Sequence, residues 1–457
     1  MNRRLRAYWR ILRRGLVPDI KPLRAVLVGD VGPKQGIFHV GDEAMMLAAI
    51  GQLRRRGFRD IWVVSANARD SEERFGVMSW EVPALDQFAS VGALEEFLDA
   101  LNPGLDKQPP IAAPWSDLLR IIESSNLAII TGGGNLNDSW ALAVVLRRIF
   151  SEMAHLAGTP LAVSSQSIGP HLTGNSWRSV HRIIELSECV GVREAGLFHT
   201  KSPSLEKLRH DKVKVVPDDA MFLLPPKRLN ERQIVPELEN KTGYVIVSFH
   251  SYPGELRGEV SYFKSCVQLV RDALEVTNLP VVLLPQEGNL NRRDENQCDV
   301  LFLQEIQDSF PGKPVFKAVS FTVDECLTLI SRSKLVISTR YHPVVWALGN
   351  GVQACALSVD DYTKAKIYGV MKLFGVEDFF QDHRQLTFAD LTNLVAHAWS
   401  SRHETEAKLR GSVASRKVLQ DEWWDSISEL AIQGRGRSGL LSIPLAPNSP
   451  NHKSAVD

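Results

Sequence analysis

Arg340 and His342 lie between two apolar segments, and their side chains suit the binding and protonation of an anion. The run Leu335–Ser338 predicts a buried strand, and Pro343 fits the first turn of a following helix. Both side chains would lie at the strand's carboxyl end, on one side if extended geometry continues through Tyr341. A guanidinium binds carboxylate or phosphate through paired hydrogen bonds, and an imidazole transfers protons near neutral pH. The alternative is an arginine that caps loop carbonyls and a histidine packed under the helix.

A glycine-rich segment, TGGGNLND, predicts a second place for an anion because it directly follows the apolar run LAII. Successive glycines let the main chain approach a ligand and present amide donors, with a helix beginning near Asp138. The segment matches neither the dinucleotide fingerprint nor the P-loop, so it does not by itself indicate a nucleotide. The alternative is a tight turn required for packing. The candidate residues are Gly132, Gly133, Gly134 and Asn135.

The segment GIFHVGDEAM opens the first predicted crossover helix and carries another candidate pair. Asp42 and Glu43 suit the electropositive first turn of a helix, which is a purely structural role. In the functional interpretation, Gly36 and Gly41 form a flexible loop over a cleft. Asp42 or His39 would then face a substrate hydroxyl.

Polar residues follow three further predicted strands. The segments are SQSIGPH, VREAG and PDDAMFLL, and each contains side chains that suit turns or sugar contacts. Neighbouring residues on an extended chain point in opposite directions, so we expect one inward aspartate in PDDA and no metal site. The candidates are Gln166, Ser167, His171, Arg193, Glu194, Asp218 and Asp219.

The elements that position these residues alternate along the chain. Apolar runs of four to six residues are separated by amphipathic segments, which predicts parallel strands joined by helices. The fold class is therefore α/β, with two Rossmann-like, doubly wound domains whose strand ends face one cleft. The predicted units are a basic amphipathic leader (1–21), an N-terminal domain (22–225), a linker (226–243), a C-terminal domain (244–386), helices (387–434) and a disordered tail (435–457).

The composition excludes several classes of protein. The 457 residues include 53 basic and 53 acidic side chains, so we expect no nucleic-acid partner. Five cysteines without a CxxC pair argue against a disulfide framework and a structural zinc. No apolar run is long enough to span a bilayer, so we expect a cytoplasmic protein. The arginine-rich leader suits either a docked helix or peripheral contact with the inner face of an anionic membrane.

The ordered motifs GDEAM, TGGGNLND, SQSIGP, VRE, PDDAMF, LLPQEGN, STRYHPVVWAL and DDYTKAK resemble the polysaccharide pyruvyl transferases. These GT-B-like enzymes move pyruvate from phosphoenolpyruvate onto a sugar as a ketal, and the resemblance covers roughly residues 22 to 380. It implies that Arg340 and His342 form the family's Arg-x-His motif and that Lys364 or Lys366 is its later lysine. The family usually has Asn where this sequence has His39, a difference that affects the expected acceptor contacts.

The resemblance implies phosphoenolpyruvate as co-substrate, no other cofactor, and a sugar acceptor that is either lipid-linked or an oligosaccharide. The carboxylate and phosphate of the donor require cations, for which Arg340, one of the two lysines, and Arg193 are candidates, aided by the glycine-loop amides. Ketal formation also needs a proton on the methylene carbon. We expect His342 to donate or relay it, and Asp42 to deprotonate or orient the acceptor.

Two other functions fit the same sequence. A GT-B glycosyltransferase has the same two-domain cleft, and Arg340 and His342 would then contact the diphosphate of a nucleotide sugar. A non-catalytic partner in a polysaccharide assembly complex, attached through the leader, is the second alternative. Binding of phosphoenolpyruvate favours pyruvyl transfer and binding of a nucleotide sugar alone favours the glycosyltransferase. Binding of neither leaves an acceptor-first enzyme or the non-catalytic partner, which activity assays separate.

Overall fold

The computed structural model describes residues 22–32, 37–85, 88, 91–100, 114–194, 211–251, 260–289, 299–318 and 322–438. The predicted leader and most of the predicted tail lie outside this part of the chain. Within it, the final helix extends to Ser438, beyond residue 435 where the sequence predicts the tail to begin.

The first sheet is parallel and has the strand order β4-β3-β1-β5-β7-β8-β9, with β6 paired to β7. Its strands are buried on both faces: Val26 and Val28 pack into one apolar cluster, whereas Ala25 and Leu27 pack into another. Such two-sided burial is expected of a parallel sheet covered by crossover helices. The strands of this half are β1 (Leu23–Val28), β2 (Ile37–His39), β3 (Phe58–Ser65), β4 (Met78–Glu81), β5 (Leu127–Ile130), β6 (Gly133–Leu136), β7 (Leu161–Ile168), β8 (Cys189–Val192) and β9 (Val213–Val215).

The second sheet is also parallel and has the order β13-β11-β10-β14-β15-β16. In both sheets the first strand of the half is central and the order reverses beside it, which is the doubly wound arrangement predicted from the sequence. The strands are β10 (Val245–Ser248), β11 (Val281–Leu283), β12 (Glu287–Asn289), β13 (Val315–Lys317), β14 (Leu335–Ser338), β15 (Ala354–Ser358) and β16 (Phe380–Asp382).

Helices connect the strands, and some of them begin or end at capping residues. In the segment DDYT, for example, the side chain of Asp360 accepts a hydrogen bond from the N–H of Thr363, and Gly375 adopts a left-handed conformation at the other end of that helix. The helices are α1 (Val40–Arg55), α2 (Ala68–Phe75), α3 (Val91–Ala100), α4 (Ser116–Glu123), α5 (Ala141–Leu156), α6 (Gly174–Leu186), α7 (Glu231–Ile234), α8 (Val260–Thr277), α9 (Asp299–Asp308), α10 (Val323–Arg332), α11 (Tyr341–Gly349), α12 (Asp361–Phe374), α13 (Phe388–Ser400) and α14 (Arg402–Ser438).

The chain passes between the two halves more than once. The predicted linker contains α7 and the 3₁₀ helix Pro236–Leu238 and leads into the second sheet. Helix α14 then returns to the first half, where Trp423 and Trp424 pack into the cluster beneath the first sheet. Near the cleft, β2 and β12 form an antiparallel ribbon that joins the halves through main-chain hydrogen bonds.

Candidate functional site

A cleft of about 300 Å³ lies where the carboxyl ends of the two sheets meet. Such edges of doubly wound sheets are the usual place for a ligand. The residues that line it come from both halves: Asp30, His39, Gly41, Asp42, Gly134, Asn135, Trp140, Arg193, His250, Ser251, Gln286, Glu287, Arg340, Tyr341, His342, Pro343, Tyr362 and Lys366.

Arg340 and His342 both line the cleft, but the local geometry differs from the sequence prediction. Strand β14 ends at Ser338, whose hydroxyl accepts the N–H of Arg340 and donates to its carbonyl. Helix α11 begins at Tyr341, so His342 lies in a first helical turn. The turn between β14 and α11 therefore determines where Arg340 and His342 point, rather than the alternation of side chains along a strand.

The guanidinium of Arg340 is held by two carboxylates of its own half. It donates to Glu287 at 2.7 Å and also to Asp299, which is fully buried. Burial alone would lower the pKa of Arg340, but these carboxylates raise it above its ordinary value. Its Nε atom is buried and has no hydrogen-bond partner in the described part of the chain. The Nε–H is therefore a donor that the described residues leave unused.

The surroundings of His342 favour its neutral form. Burial, together with Arg193 and Lys366, lowers its pKa well below the ordinary value. Its Nε2 lies 3.9 Å from a carboxylate oxygen of Asp218, too far for a hydrogen bond, and has no other partner among the described residues. The ring packs on Gly41, where a Cβ would overlap the imidazole.

Arg193 lies at the end of β8 and is almost completely buried. It donates to Glu194 at 3.0 Å, to Asp218 at 2.8 Å and to Ser167 at 2.8 Å. Its guanidinium carbon is 4.4 Å from the centroid of the Tyr341 ring, a cation–π contact across the two halves. These contacts therefore hold the guanidinium of Arg193 in a fixed position at the floor of the cleft, with its charge paired to two buried carboxylates.

The two candidate lysines have different surroundings. The ammonium of Lys366 lies 3.7 Å from the Tyr362 ring centroid and 5.6 Å from that of Tyr341. Burial and the nearby Arg193 lower the pKa of Lys366 to about 7. Lys364 does not line the cleft; its side chain is 45% exposed and pairs with Asp382 at 3.2 Å. Of the two, only Lys366 is placed to contact a ligand in the cleft.

Asp42 and His39 line the cleft beside each other, at the start of α1. Burial and the nearby Asp30 raise the pKa of Asp42 to about 6. Gly41 is part of the helix, which corrects the prediction of a flexible loop at that position. Gly36, the other end of the predicted loop, lies outside the described residues. The N–H of Val40 donates to the carbonyl of Gln286, so the second half fixes the start of this helix.

The glycine-rich segment contributes less to the cleft than the sequence suggests. Gly134 and Asn135 line it, and the carbonyl of Gly134 accepts the hydroxyl of Tyr362 at 2.7 Å. Gly132 and Gly133 do not line it: the segment forms the short strand β6, and a Cβ at Gly132 would overlap Met45. The absence of side chains at these two glycines therefore allows neighbouring residues to pack closely. This is the structural alternative considered for the glycine-rich segment.

Four other candidate residues do not line the cleft. Gln166 is fully buried and donates to the carbonyl of Thr131 at 2.5 Å. His171 is exposed and is not part of the cleft lining. Ser167 and Glu194 hydrogen-bond each other and orient Arg193.

Asp218 and Asp219 point in opposite directions, as the sequence predicts. Asp218 accepts from Arg193, whereas Asp219 accepts from Ser164 at 3.0 Å and from the indole of Trp424 at 2.9 Å. Burial and the neighbouring Asp218 raise the pKa of Asp219 to about 7. In the ranges that the structure describes, no group of three or more His, Cys, Asp or Glu side chains is arranged to hold a metal ion.

Several residues of the cleft are not among the candidates predicted from the sequence. Asp30 follows β1, His250 follows β10, and Gln286 follows β11, so each obeys the strand-end rule that identified Arg340. Burial and the nearby Arg340 lower the pKa of His250 well below its ordinary value. Tyr362 lies in the quoted motif DDYTKAK, but nothing in the motif indicates that its ring would contact Lys366.

The family model described as polysaccharide pyruvyl transferase matches residues 39–361 of the chain. The match includes every lining residue except Asp30, Tyr362 and Lys366. No curated protein matches the chain. The part of the chain that the structure describes contains no helix long and apolar enough to cross a membrane.

Solved structures with a similar fold share little sequence with the chain. UDP-GlcNAc 2-epimerase from Neisseria meningitidis, bound to UDP-GlcNAc, has a TM-score of 0.53 and 11% identity over 91% of this chain and 100% of that one. A glycosyltransferase from Rickettsia africae has a TM-score of 0.53 and 9% identity over 91% and 99%. HepE from Anabaena, in complex with UDP and glucose, has a TM-score of 0.51 and 16% identity over 92% and 100%. These similarities confirm the predicted GT-B-like fold.

Proposed function

The chain belongs to the polysaccharide pyruvyl transferase family, and on that premise we propose that it transfers pyruvate from phosphoenolpyruvate to two hydroxyl groups of one sugar. The products are a cyclic ketal and inorganic phosphate. The acceptor is a saccharide, either free or carried on a lipid. No resident metal or organic cofactor is part of this proposal.

One observation carries the proposal: the ammonium of Lys366 lines the cleft with no carboxylate within 4 Å among the described residues, although Arg193 contacts the same tyrosine ring. Two cations held close together repel each other, and this repulsion contributes to the lowered pKa of Lys366. An anion between them removes the repulsion. Phosphoenolpyruvate, with a carboxylate and a phosphate, suits a cleft that also contains Arg340.

In this proposal His342 donates the proton that is added to the methylene carbon. Because its pKa is lowered, the histidine is neutral before the donor binds and is not yet an acid. A donor with almost three negative charges raises the pKa of a neighbouring imidazole and lets it take up a proton. Transfer of that proton to the CH₂ carbon gives a methyl group and an oxocarbenium-like centre at C2.

The two acceptor hydroxyls complete the reaction. The first hydroxyl oxygen bonds to C2, the C2–O bond to phosphate breaks with both electrons leaving on phosphate, and the second hydroxyl oxygen then bonds to C2. Two hydroxyl protons are released: one replaces the proton given to the methylene carbon and the other is carried by phosphate. Asp42, which lines the cleft and has a pKa of about 6, is the base for the first hydroxyl.

The test is ligand binding by the full-length chain. We expect phosphoenolpyruvate to raise the melting temperature of the wild type and to bind by isothermal titration calorimetry. Lys366→Met should weaken that binding roughly tenfold to a hundredfold, the range expected for one lost charge-assisted contact. Lys364→Met is the matched control, because it removes the same group from the same helix outside the cleft; its affinity should equal that of the wild type.

Two results contradict the proposal. A response to UDP-glucose without a response to phosphoenolpyruvate would make the chain a nucleotide-sugar enzyme. Equal affinities of both lysine variants and the wild type for phosphoenolpyruvate would remove Lys366 from the donor site. A chain that responds to neither ligand would be either an enzyme that binds its acceptor first or a non-catalytic partner in polysaccharide assembly, and an activity assay would separate the two.

A further inference from the structure

A second cavity of about 350 Å³ adjoins the cleft on the side of the first half. Asp30, His39 and Trp140 line both spaces, so the two spaces are adjacent. The wall of the second cavity is mainly apolar and includes Val82, Leu85 and Leu146. Trp140 is 46% exposed at the boundary, which makes its ring available to the face of a sugar.

Arg147 lines this second cavity and is only 1% exposed. Its Nη1 donates to the carbonyl of Ala143 within the same helix at 3.0 Å. Its Nε and Nη2 are buried and have no hydrogen-bond partner among the described residues. These two atoms form the side-on edge of a guanidinium, which is the edge that binds a carboxylate or phosphate through two parallel hydrogen bonds.

The acidic side chains around Arg147 do not fill that role. Glu43 lines the same cavity, but both of its oxygens accept hydrogen bonds from Arg74, at 3.0 and 3.1 Å. Asp30 and Asp42 attract Arg147 electrostatically without forming an ion pair with it within 4 Å. A buried, charged donor without a partner is costly, so its retention beside a reaction cleft indicates that a ligand supplies the acceptor.

We propose that the second cavity is the acceptor subsite and that it selects a saccharide bearing an anionic group, a carboxylate or a phosphate, which Arg147 binds through Nε and Nη2. The identification of this ligand as an acceptor rests on the proposed pyruvyl transfer; the anion selectivity of the cavity does not. A sugar ring against Trp140 would extend from Arg147 towards Asp42, which lines the main cleft.

Binding of matched sugars to the full-length chain tests this assignment. Methyl β-glucuronide and methyl β-glucoside differ only in a carboxylate, and glucose 1-phosphate tests the phosphate. We expect one or both anionic sugars to bind the wild type roughly tenfold or more tightly than the glucoside. Arg147→Met should abolish that preference, whereas Arg148→Met, at the next position of the helix where the arginine pairs with Glu152, should preserve it.

A second variant keeps the test valid if Arg147→Met does not fold. Ala143→Phe narrows the same cavity without removing the arginine, and it should reduce binding of every sugar while phosphoenolpyruvate still binds. Equal affinities for the glucuronide, the glucose phosphate and the glucoside would overturn the assignment, as would an undiminished preference in a folded Arg147→Met protein. An Arg147-dependent preference in a chain that does not bind phosphoenolpyruvate would support the anionic subsite and refute pyruvyl transfer.

Discussion

The imidazole of His342 packs directly on the main chain of Gly41, so that a Cβ at residue 41 would overlap the ring. The two residues belong to different halves: Gly41 lies in the first turn of α1 and His342 in the first turn of α11. Each half therefore limits where the other can place its functional groups. The histidine occupies the space that the absent side chain of the glycine leaves open.

Replacement of Gly41 by alanine should displace His342 and impair the site while preserving the fold. An added methyl group must move the ring, and displacement of a catalytic group by about 1 Å can reduce a rate about a hundredfold. We expect phosphate release from phosphoenolpyruvate in the presence of a competent acceptor to fall by at least about tenfold. Gly51→Ala is the control, because Gly51 lies on the same helix with nothing within 4 Å of a Cβ; it should retain activity and gain up to about 1 kcal/mol of stability.

Binding of phosphoenolpyruvate should weaken as the pH rises from 7 to 9. Burial and Arg193 lower the pKa of Lys366 to about 7, so the ammonium loses its proton in this range while the donor stays fully ionised. Titration calorimetry at several pH values measures how the affinity for phosphoenolpyruvate changes with pH. Lys366→Arg, whose guanidinium stays charged at all these pH values, should show a shallower decrease in affinity, because only the proton uptake by His342 then remains to depend on pH. A wild-type affinity independent of pH would refute a titrating lysine at the donor site.

Asp42→Asn should stabilise the folded protein at pH 8. The pKa of Asp42 is raised from 3.8 to about 6, so above pH 6 the fold holds an ionised carboxylate in a place that disfavours the charge. Removing that charge should increase the free energy of unfolding by about 1–3 kcal/mol at pH 8 and by much less at pH 4.5, where the folded carboxyl is already protonated. Urea titrations at both pH values measure the difference. A gain of equal size at both pH values would contradict the electrostatic explanation.

Trp424→Phe should reduce the stability of the whole chain. The substitution removes the indole N–H that donates to Asp219 at 2.9 Å, and both groups are buried. Loss of such a bond costs about 1–3 kcal/mol in the free energy of unfolding, measurable by denaturant titration. Ile432→Ala on the same helix is the comparison, since Ile432 is 64% exposed and should change stability by less than about 0.5 kcal/mol.

The sequence predicts the fold and the location of the site because both depend on local patterns. Apolar runs identify strands, and the carboxyl ends of parallel strands meet at one edge, so Arg340, His342, Arg193 and Asp42 were expected near one another. The same rule applies to Asp30 and His250, which were overlooked. The fold class and the polar residues at the strand ends can therefore be predicted from the pattern of apolar runs.

Contacts between residues that are far apart in the chain could not be predicted from the sequence. Lys364 and Lys366 are two residues apart on a helix, which turns them to different sides, and only the packing of α12 determines which one faces the cleft. Gly132 serves packing because Met45, far away in the chain, occupies the space beside it. The partners of Arg340 lie 53 and 41 residues away from it. No periodicity in the sequence encodes such pairings.

The return of α14 to the first half has a mechanical consequence. In the described part of the chain, the segment before β10 and the entry to α14 connect the halves, and Trp423 and Trp424 anchor the second connection in the core. Three side chains of α1, those of Val40, Ala44 and Met45, also pack into the apolar cluster of the second half. Any opening of the cleft must therefore separate these apolar contacts, bend or break the β2–β12 ribbon, and leave α14 anchored in the first half.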